Sequence, residues 1–529
     1  MRKHIIITLI LLIVTAYVTV VYFKNLNPPG THTSRVMSVI PDNASIIFEF
    51  NNDTSFYDIF KDSKLFRAFT GKQTLGELDT LRQQLLQNSF LAKYFDGQNI
   101  YISLHPSANH TLSQLLTVSA TKGFGPMVIN QLAKQPNTGL VITPLISAGK
   151  KGYNIYISAL KKRFYVIYKE DNTLSGSFSK ETADLSAAYQ SKKNESTFVL
   201  LPEQQNANSL ANIYVNYSQL NPLADVLLAN KNSDIFKSVR LLPGLAALTL
   251  NYRTDALMFN GATSVLLNKP SSYLNLFTNQ RPVINHLKDI FPSTTAYSTN
   301  FSVSDPLKFG ADLSLWYAKA GLKNEKDKVF NKIKAETGSN LQNDFNKLLG
   351  NEFAIVTTKY FEKLAIVSVK NGSKLNLLLA NISKNVTENS GQFSYDKIPF
   401  FLLGDAFGVF KHPNYLIIDN YLILADSPGE LKSYYDSYIN RKFLSKNEQY
   451  TQFDNLLAAQ SNVSFIMIFK NAEPIFKRDL NPVFYNYFEE DEPGWKDFYG
   501  AAWQFSSADK NFYTNFSVRL SNDSLTVKN

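Results

Sequence analysis

The sequence predicts an α+β protein: an N-terminal transmembrane helix followed by two similar lobes of mainly antiparallel sheet with covering helices, arranged as a tandem pseudo-repeat. Three observations lead to this prediction. An uncharged apolar run opens the chain, short strand-like runs are joined by hairpin-length turns, and similar segments recur in one order roughly 250 residues apart. At 529 residues the chain is also too long for a single hydrophobic core.

The first element is the run "MRKHIIITLILLIVTAYVTVVYFK" at the N-terminus. Residues 5–23 carry no formal charge, and at ~1.5 Å per residue they nearly cross a ~30 Å hydrocarbon layer. Arg2 and Lys3 place residues 1–4 on the cytoplasmic side. We therefore expect an uncleaved signal anchor. A cleaved signal peptide stays open as the alternative, and under either one the rest of the chain is exported.

The rest of the chain divides at its proline-rich stretches. Residues 24–40 include "NLNPPGTHTSR" and are expected to form a tether between the anchor and the folded part. The predicted divisions that follow are the first lobe at 41–268, a connector at 269–291, the second lobe at 292–522 and a tail at 523–529.

The strand and helix signals recur along the two lobes. Alternating strand patterns follow Pro41 and Pro292, and amphipathic helical patterns are expected to stop in left-handed conformations at Gly97 and Gly350. The paired segments are "NASIIFEFNN" (43–52) with "TTAYSTNFSV" (294–303), 75–104 with 328–357, and "TADLSAAYQS" (182–191) with "GELKSYYDSY" (429–438). We expect a duplicated domain; the alternative is that hairpin-rich α+β chains resemble one another at low resolution.

The charge distribution and the cysteine content exclude several classes of function. The net charge is +10, but the 54 basic and 44 acidic residues are interspersed, so no nucleic-acid partner is expected. The chain has no cysteine, which excludes disulfides, thiolate metal sites and cysteine nucleophiles. The scattered distribution of the six histidines predicts no metal site. His105 and His110 are expected in a solvated loop, as is the acidic run Glu489–Trp495 in preference to a calcium site. No nucleophile or phosphate-binding motif is present, so no catalytic residue and no cofactor are predicted.

One cluster remains as a candidate binding site. Two basic patches flank a predicted hairpin with interleaved aromatic residues, and cations beside aromatic rings suit an anionic glycan or lipid headgroup. The alternative is that lysines protect an exposed sheet edge from pairing with another chain. The predicted binding residues are Lys150, Lys151, Tyr153, Tyr156, Lys161, Lys162 and Arg163.

The N-terminal anchor, the proline-led first strand "IPDNASIIFEF" (40–50) and the duplicated plan resemble membrane-anchored bacterial envelope proteins of a domain-of-unknown-function family. That family has no assigned activity, so the resemblance transfers no functional residues. It implies a single-pass protein of a bacterial inner membrane, with a cytoplasmic N-terminus and a periplasmic bulk. We expect a non-catalytic binding or scaffold protein for an envelope lipid, glycan or protein. The alternative is an envelope hydrolase whose active site lacks a recognisable motif.

Overall fold

A computed structural model describes residues 36–60, 63–107, 111–136, 138–169, 172–190, 209–235, 237–265, 272–490 and 494–522. It confirms the α+β class with a large antiparallel sheet. The predicted N-terminus, the span at 5–23, most of the linker and the tail at 523–529 lie outside these ranges. Among the helices within them, none combines the length and apolarity needed to cross a bilayer.

The strands are short; β11 and β19 form a separate two-stranded sheet, and all the others belong to one large sheet. In the first half (residues 36–265) they are β1 Ile46–Asn51, β2 Asn99–Pro106, β3 Leu112–Ser119, β4 Leu140–Ser147, β5 Lys150–Ile157, β6 Lys162–Tyr168, β7 Thr173–Ser177, β8 Ala211–Asn216, β9 Gly244–Tyr252 and β10 Ala256–Val265. In the second half (residues 272–522) they are β11 Val283–Ile284, β12 Thr295–Ser302, β13 Leu349–Thr358, β14 Lys363–Val369, β15 Ser383–Lys384, β16 Ser390–Phe393, β17 Asn414–Ile418, β18 Tyr421–Ala425, β19 Gln460–Ser461, β20 Val463–Ile468, β21 Phe498–Ala508 and β22 Asn511–Leu520.

Helices fill the longer connections between strands. The first half contains α1 Thr54–Phe60, α2 Lys64–Thr70, α3 Lys72–Leu81, α4 Ala92–Phe95, α5 Pro126–Ala133, α6 Lys180–Ala188, α7 Leu220–Leu227 and α8 Lys237–Arg240. The second contains α9 Pro306–Lys319, α10 Lys323–Thr337, α11 Leu341–Leu348, α12 Gly372–Ala380, α13 Ile398–Leu403, α14 Pro428–Ile439, α15 Glu448–Asp454, α16 Phe469–Asp479 and α17 Pro482–Glu490.

Strand order is the same in the two halves. The first half is ordered β4-β5-β6-β7-β3-β2-β1-β8-β9-β10. The second half is ordered β15-β16-β17-β18-β14-β13-β12-β20-β21-β22, and the short strands β11 and β19 pair with each other. The two orders are the same because β15–β18 correspond to β4–β7, β12–β14 to β1–β3, and β20–β22 to β8–β10. β10 and β22 then pair antiparallel, from Ala256 opposite Arg519 to Thr263 opposite Phe512, and join the halves into one 20-stranded sheet.

The junctions at α6 and α14 share one structural device. Each helix follows the last of the four strands at the free end of its half: α6 follows β7, and α14 follows β18. Ser179 accepts a hydrogen bond from the backbone N–H of Thr182, and Ser427 accepts one from that of Glu430, so each serine caps its helix. The Glu430 side chain also accepts from the Ser427 N–H, which completes a capping box.

The inner face of the sheet is covered by a continuous apolar core, and the outer face is covered in part. On the inner face, Phe50 of β1 stacks on Phe56 of α1 with ring centroids 4.2 Å apart, and Phe301 of β12 stacks on Phe353 of β13 at 5.7 Å. These rings belong to one apolar core that continues across both halves. The outer face bears separate clusters. In the first half, residues from 36 to 44 pack against Tyr101 and Tyr214. In the second, Leu287 and Phe291 pack among residues of α14 and α15.

A loop of the first half contacts the second half. The N–H of Ala229 donates to the carbonyl of Asp479, and Asn230 Nδ2 donates to Asp479 Oδ1 at 3.0 Å. Asp234 accepts from the Tyr297 hydroxyl and pairs with Lys363 Nζ at 2.7 Å. The halves are therefore joined by a side-chain contact as well as by the β10–β22 pairing.

Three local predictions are wrong. Gly350 is not a left-handed helix stop: α11 ends at Leu348, and Gly350 lies inside β13, where a Cβ would come within 2.5 Å of Ser368 Oγ. The helical pattern over 328–350 is two helices, because Gly338 adopts φ +73° and ends α10. His105 is not in a solvated loop but is buried near the end of β2, whereas His110 lies outside the described residues.

Candidate functional site

The clearest difference between the two halves is at the free ends of the sheet. β4 and β5 each have eight residues, whereas their counterparts β15 and β16 have two and four. We call residues 140–163, which contain β4, β5 and the start of β6, the edge arm. All seven predicted binding residues lie on this arm, and the second half has no equivalent of its length among the described residues.

The structure separates the predicted basic residues along the arm. Lys150 and Lys151 begin β5, next to the turn at Ala148 and Gly149. Tyr156 lies six positions further on, about 20 Å away at ~3.3 Å per residue. The two basic patches therefore lie at opposite ends of the arm and do not form one site.

Two of the predicted residues have structural roles on the inner face. Tyr153 is buried; its hydroxyl lies 3.2 Å from both the Pro126 carbonyl and Asn130 Oδ1, and burial raises its pKa. Lys162 Nζ pairs with Glu77 Oε1 at 2.5 Å and lies 5.7 Å from the ring centroid of Phe178. Neither side chain is available to a ligand on the outer face.

Tyr156 and Arg163 meet on the outer face. They are cross-strand neighbours, and Tyr156 is also opposite Val141 on β4. Together with Thr143 they line a shallow depression of about 220 Å³. Within the described part of the chain Arg163 makes no ion pair, and the exposed Lys161 lies two residues away in the adjoining turn, at φ +51°. The depression thus combines an aromatic ring with an uncompensated guanidinium.

Helix α6 packs on the other end of the arm. Its Ala183 and Ala187 pack on Ile167, with Leu145 and Tyr165 at the margin. Asp184, on the same helix, accepts a hydrogen bond from Ser147 Oγ at 2.6 Å. The helix covers the outer face at the Lys150 end of the arm and leaves the Arg163 end open. A second cavity, near Asn52 and Gln87, has a volume of only about 50 Å³.

A buried carboxylate that the sequence reasoning missed lies at the centre of the first half. Glu49 Oε1 accepts hydrogen bonds from Asn99 Nδ2 at 2.8 Å and the Tyr101 hydroxyl at 2.6 Å. Its Oε2 accepts from Asn212 Nδ2 at 3.1 Å and the Tyr214 hydroxyl at 2.5 Å. Burial, and then the adjacent Glu49 carboxylate, raise the pKa of Tyr214. Both oxygens of Glu49 thus accept two hydrogen bonds each. These bonds stabilise the buried charge and leave no position for a substrate proton, so the role of Glu49 is structural.

Glu49 begins a polar row across both halves. Successive cross-strand neighbours on the outer face are polar from β1 to β12, and the row is symmetric about the β10–β22 junction. Its members in order are Glu49, Asn212, Thr249, Asn260, Asn515, Gln504, Ser464 and Asn300. In the sequence, the row is visible only as a polar residue within each of several apolar strands. Whether these residues are neighbours across the sheet depends on the register of each strand, which the sequence does not show.

A hydroxyl, an imidazole and an amide also meet beside this row. Ser103 Oγ lies 2.8 Å from His105 Nε2, and His105 Nδ1 lies 2.8 Å from Asn43 Oδ1. The order resembles a nucleophile, a base and an orienting group. Ser103 is 0% exposed and His105 1% exposed, however, and Ser103 also donates to the Leu115 carbonyl. Burial lowers the pKa of His105 to about 4. Without access for a substrate, this arrangement is a buried structural network.

The other buried glutamate is far from Glu49. Glu352 on β13 accepts from the backbone N–H groups of His286 and Leu287. Eight strand spacings of ~4.8 Å separate β1 from β13, about 40 Å along the sheet. The two carboxylates therefore cannot act as the acid–base pair of a glycosidase. Among the described residues no cluster of three or more His, Asp or Glu side chains could hold a metal ion.

Comparison with known proteins adds no relative: no family model, curated protein or solved structure matches this chain.

Proposed function

We propose that this chain is a non-catalytic, membrane-anchored binding or scaffold protein of a bacterial envelope, and that its depression on the edge arm binds an anionic group of an envelope lipid or glycan. The observation that carries the proposal is the pairing of Tyr156 with Arg163 in that depression, where Arg163 has no ion pair among the described residues. A guanidinium binds phosphate or carboxylate through two parallel hydrogen bonds, and the adjacent ring supplies apolar contact.

The location of the depression supports binding more than catalysis. It is open and shallow, and its lining residues Val141, Thr143, Tyr156 and Arg163 contain no carboxylate or imidazole that could transfer a proton. The arm is long only in the first half, so the binding role belongs to one copy of the duplicated plan. The shared strand order of the halves supports the proposal that they are two copies of one domain.

The anchor completes the proposed arrangement. Residues 5–23 would cross the inner membrane once, with residues 1–4 in the cytoplasm and the sheet in the periplasm. Support comes from the charge-free apolar run after Arg2 and Lys3. Carbonate extraction of native membranes should leave the protein in the pellet, and protease added to spheroplasts should degrade it. Release by carbonate, or protection from protease, would contradict the anchor without bearing on the depression.

Site-directed photo-crosslinking tests the binding site. A photoreactive amino acid is placed at Thr143, which lines the depression, and for comparison at Lys384 on the short counterpart strand β15. We expect phospholipid or acidic-glycan adducts at position 143, distinguished by mass, and a large loss of these adducts in the Arg163→Gln background. Equal yields at 143 and 384 would overturn the proposal.

A matched arginine variant controls for loss of charge. Arg281 is exposed in the second half, and the hydrogen bonds described for it involve its backbone. Arg281→Gln removes the same charge as Arg163→Gln and should leave the adducts at position 143 unchanged. Equal losses in the two variants would show that net charge, and not the depression, attracts the ligand.

A further inference from the structure

A second surface lies on the outer face where the halves join. We define the seam platform as Thr249 and Asn251 of β9, Asn260 of β10, and Tyr513 and Asn515 of β22. Thr249, Asn260 and Asn515 are successive cross-strand neighbours, and Asn251 and Tyr513 lie two residues from Thr249 and Asn515 on the same face. Its members are half-buried or exposed, whereas Glu49 and Asn300 at the ends of the polar row are buried.

The platform has unused hydrogen-bonding capacity. Asn251 Nδ2 donates to Asn260 Oδ1 at 3.0 Å, and neither amide hydrogen of Asn260 is donated to another described residue. Asn515 makes no side-chain hydrogen bond with the described residues. Thr249 Oγ1 donates to Asn212 Oδ1 at 3.2 Å and retains an acceptor. Three amides on adjacent strands therefore present donors and acceptors side by side, at a strand spacing of ~4.8 Å.

An accessible aromatic ring adjoins these amides. Tyr513 is 40% exposed, and its cross-strand neighbours on the two sides are the small residues Ala262 and Ser506. Small neighbours leave the ring face uncovered for stacking against a flat apolar surface. Amides beside a free ring match a sugar, whose hydroxyl groups form hydrogen bonds and whose C–H face packs on an aromatic ring.

The platform is uncharged although the chain carries a net charge of +10. At the β9–β10 end, Asp255 lies 2.8 Å from Arg519 and compensates its charge, whereas the exposed Arg253, 3.5 Å from the same carboxylate, leaves one positive charge beside the platform. At the other end, the turn residues Asp509 and Lys510 have opposite charges. The five platform residues themselves offer amides, hydroxyl groups and a ring but no charge, which suits a ligand that is recognised by hydrogen bonds and stacking.

We infer that the seam platform binds an uncharged glycan chain that runs across β9, β10 and β22. The surface is flat, so it can contact only one side of a ligand, and a monosaccharide would make too few contacts to be held. A chain repeats the same weak contact on successive strands and gains affinity through the effective concentration of its linked units. This inference is independent of the proposed anionic site on the edge arm.

The test titrates the full-length protein, reconstituted in nanodiscs, with uncharged α-glucan, β-glucan and mannan oligosaccharides in biolayer interferometry. We expect at least one series to bind with affinity rising with chain length. Tyr513→Ala and Asn515→Ala should each weaken binding about five- to tenfold, the loss of one stacking or hydrogen-bond contact. Tyr435→Ala, which removes another exposed tyrosine, should leave it unchanged.

Two outcomes would overturn the inference. One is that no uncharged glycan binds, or that Tyr513→Ala and Asn515→Ala bind as the wild type does. The other is that glycan binding is lost in Arg163→Gln, which would assign it to the edge arm. Thermal unfolding of each variant shows that it is folded. If the edge arm fails its own crosslinking test while the platform variants lose glycan binding, only the anionic site is withdrawn.

Discussion

Glu49 on β1 and Asn300 on β12 occupy equivalent positions of equivalent strands in the two halves, but Glu49 is a carboxylate and Asn300 an amide. On the adjacent strand the residues are reversed: β2 has the amide Asn99 and β13 the carboxylate Glu352. Asn99 donates to Glu49 in the first half, whereas Asn300 donates to Glu352 in the second. Each half thus has one amide–carboxylate hydrogen bond, with the two groups exchanged between the strands, and the carboxylate is buried in both halves. Burial of a carboxylate is tolerated only when its hydrogen bonds are satisfied, and in each half an amide on the adjacent strand supplies one of them.

The first prediction concerns this buried carboxylate. Glu49→Gln replaces one acceptor oxygen with an NH₂ group, which then faces two of the four side chains that donate to Glu49. Because donors cannot bond to a donor, the substitution should lower the free energy of unfolding by about 2–4 kcal/mol. Urea denaturation followed by tryptophan fluorescence measures the shift. Glu388→Gln, at an exposed turn, should stay within about 0.5 kcal/mol of the wild type. A similar stability of the two variants would contradict a structural role for Glu49.

The second prediction concerns acid stability. The pKa of His105 is about 4 in the folded chain, below its ordinary value of 6.5. The unfolded state therefore binds the proton first, and this residue lowers the stability as pH falls from 6.5 to 4, by about 3 kcal/mol, with no further loss below 4. Denaturation at several pH values should give a shallower decline for His105→Gln than for the wild type. The exposed His412→Gln should follow the wild-type curve, and a parallel curve for His105→Gln would count against this account.

The third prediction concerns the strand that joins the halves. A Cβ on Gly261 would lie 2.1 Å from the carbonyl oxygen of Ala247, so Gly261→Ala must displace β9 or β10. We expect a loss of about 1–3 kcal/mol in thermal or urea unfolding. For Gly429→Ala, in the first turn of α14, the nearest atom would be Ser427 Oγ at 3.8 Å. That control should be neutral or slightly stabilising; an equal effect at both sites would refute close packing between β9 and β10.

The fourth prediction concerns the loop that contacts the second half. Asp234→Ala removes the partner of both Tyr297 and Lys363, and should increase hydrogen exchange in residues 228–235. It should also cost about 1–3 kcal/mol, because the Tyr297 hydroxyl then loses its acceptor. Asp327→Ala removes an exposed ion pair with Lys323 and should change stability by less than about 1 kcal/mol. Unchanged exchange across 228–235 would show that Asp234 does not hold this loop and that its other contacts, including the hydrogen bonds to Asp479, are sufficient.

The candidate site shows where sequence reasoning stops. The composition of the β4–β6 hairpins indicated cations next to aromatic residues, and Tyr156 with Arg163 does form such a pair. Alternation along a strand places Tyr153 on the opposite face from Tyr156, yet only packing shows which face is covered. Lys162 was grouped with Arg163 because they are adjacent in sequence, but adjacent strand residues point to opposite faces, and Lys162 meets Glu77.

By itself, the sequence determined the α+β class and the antiparallel hairpins, because these depend on alternation and turn residues that are close together in the chain. Only the tertiary structure decided that β10 pairs with β22 and that Glu49, Asn260, Asn515 and Asn300 lie in one row. The physical reason is register. A one-residue slip in any strand would turn its polar residue to the other face, and register is set by packing between strands that are far apart in the chain.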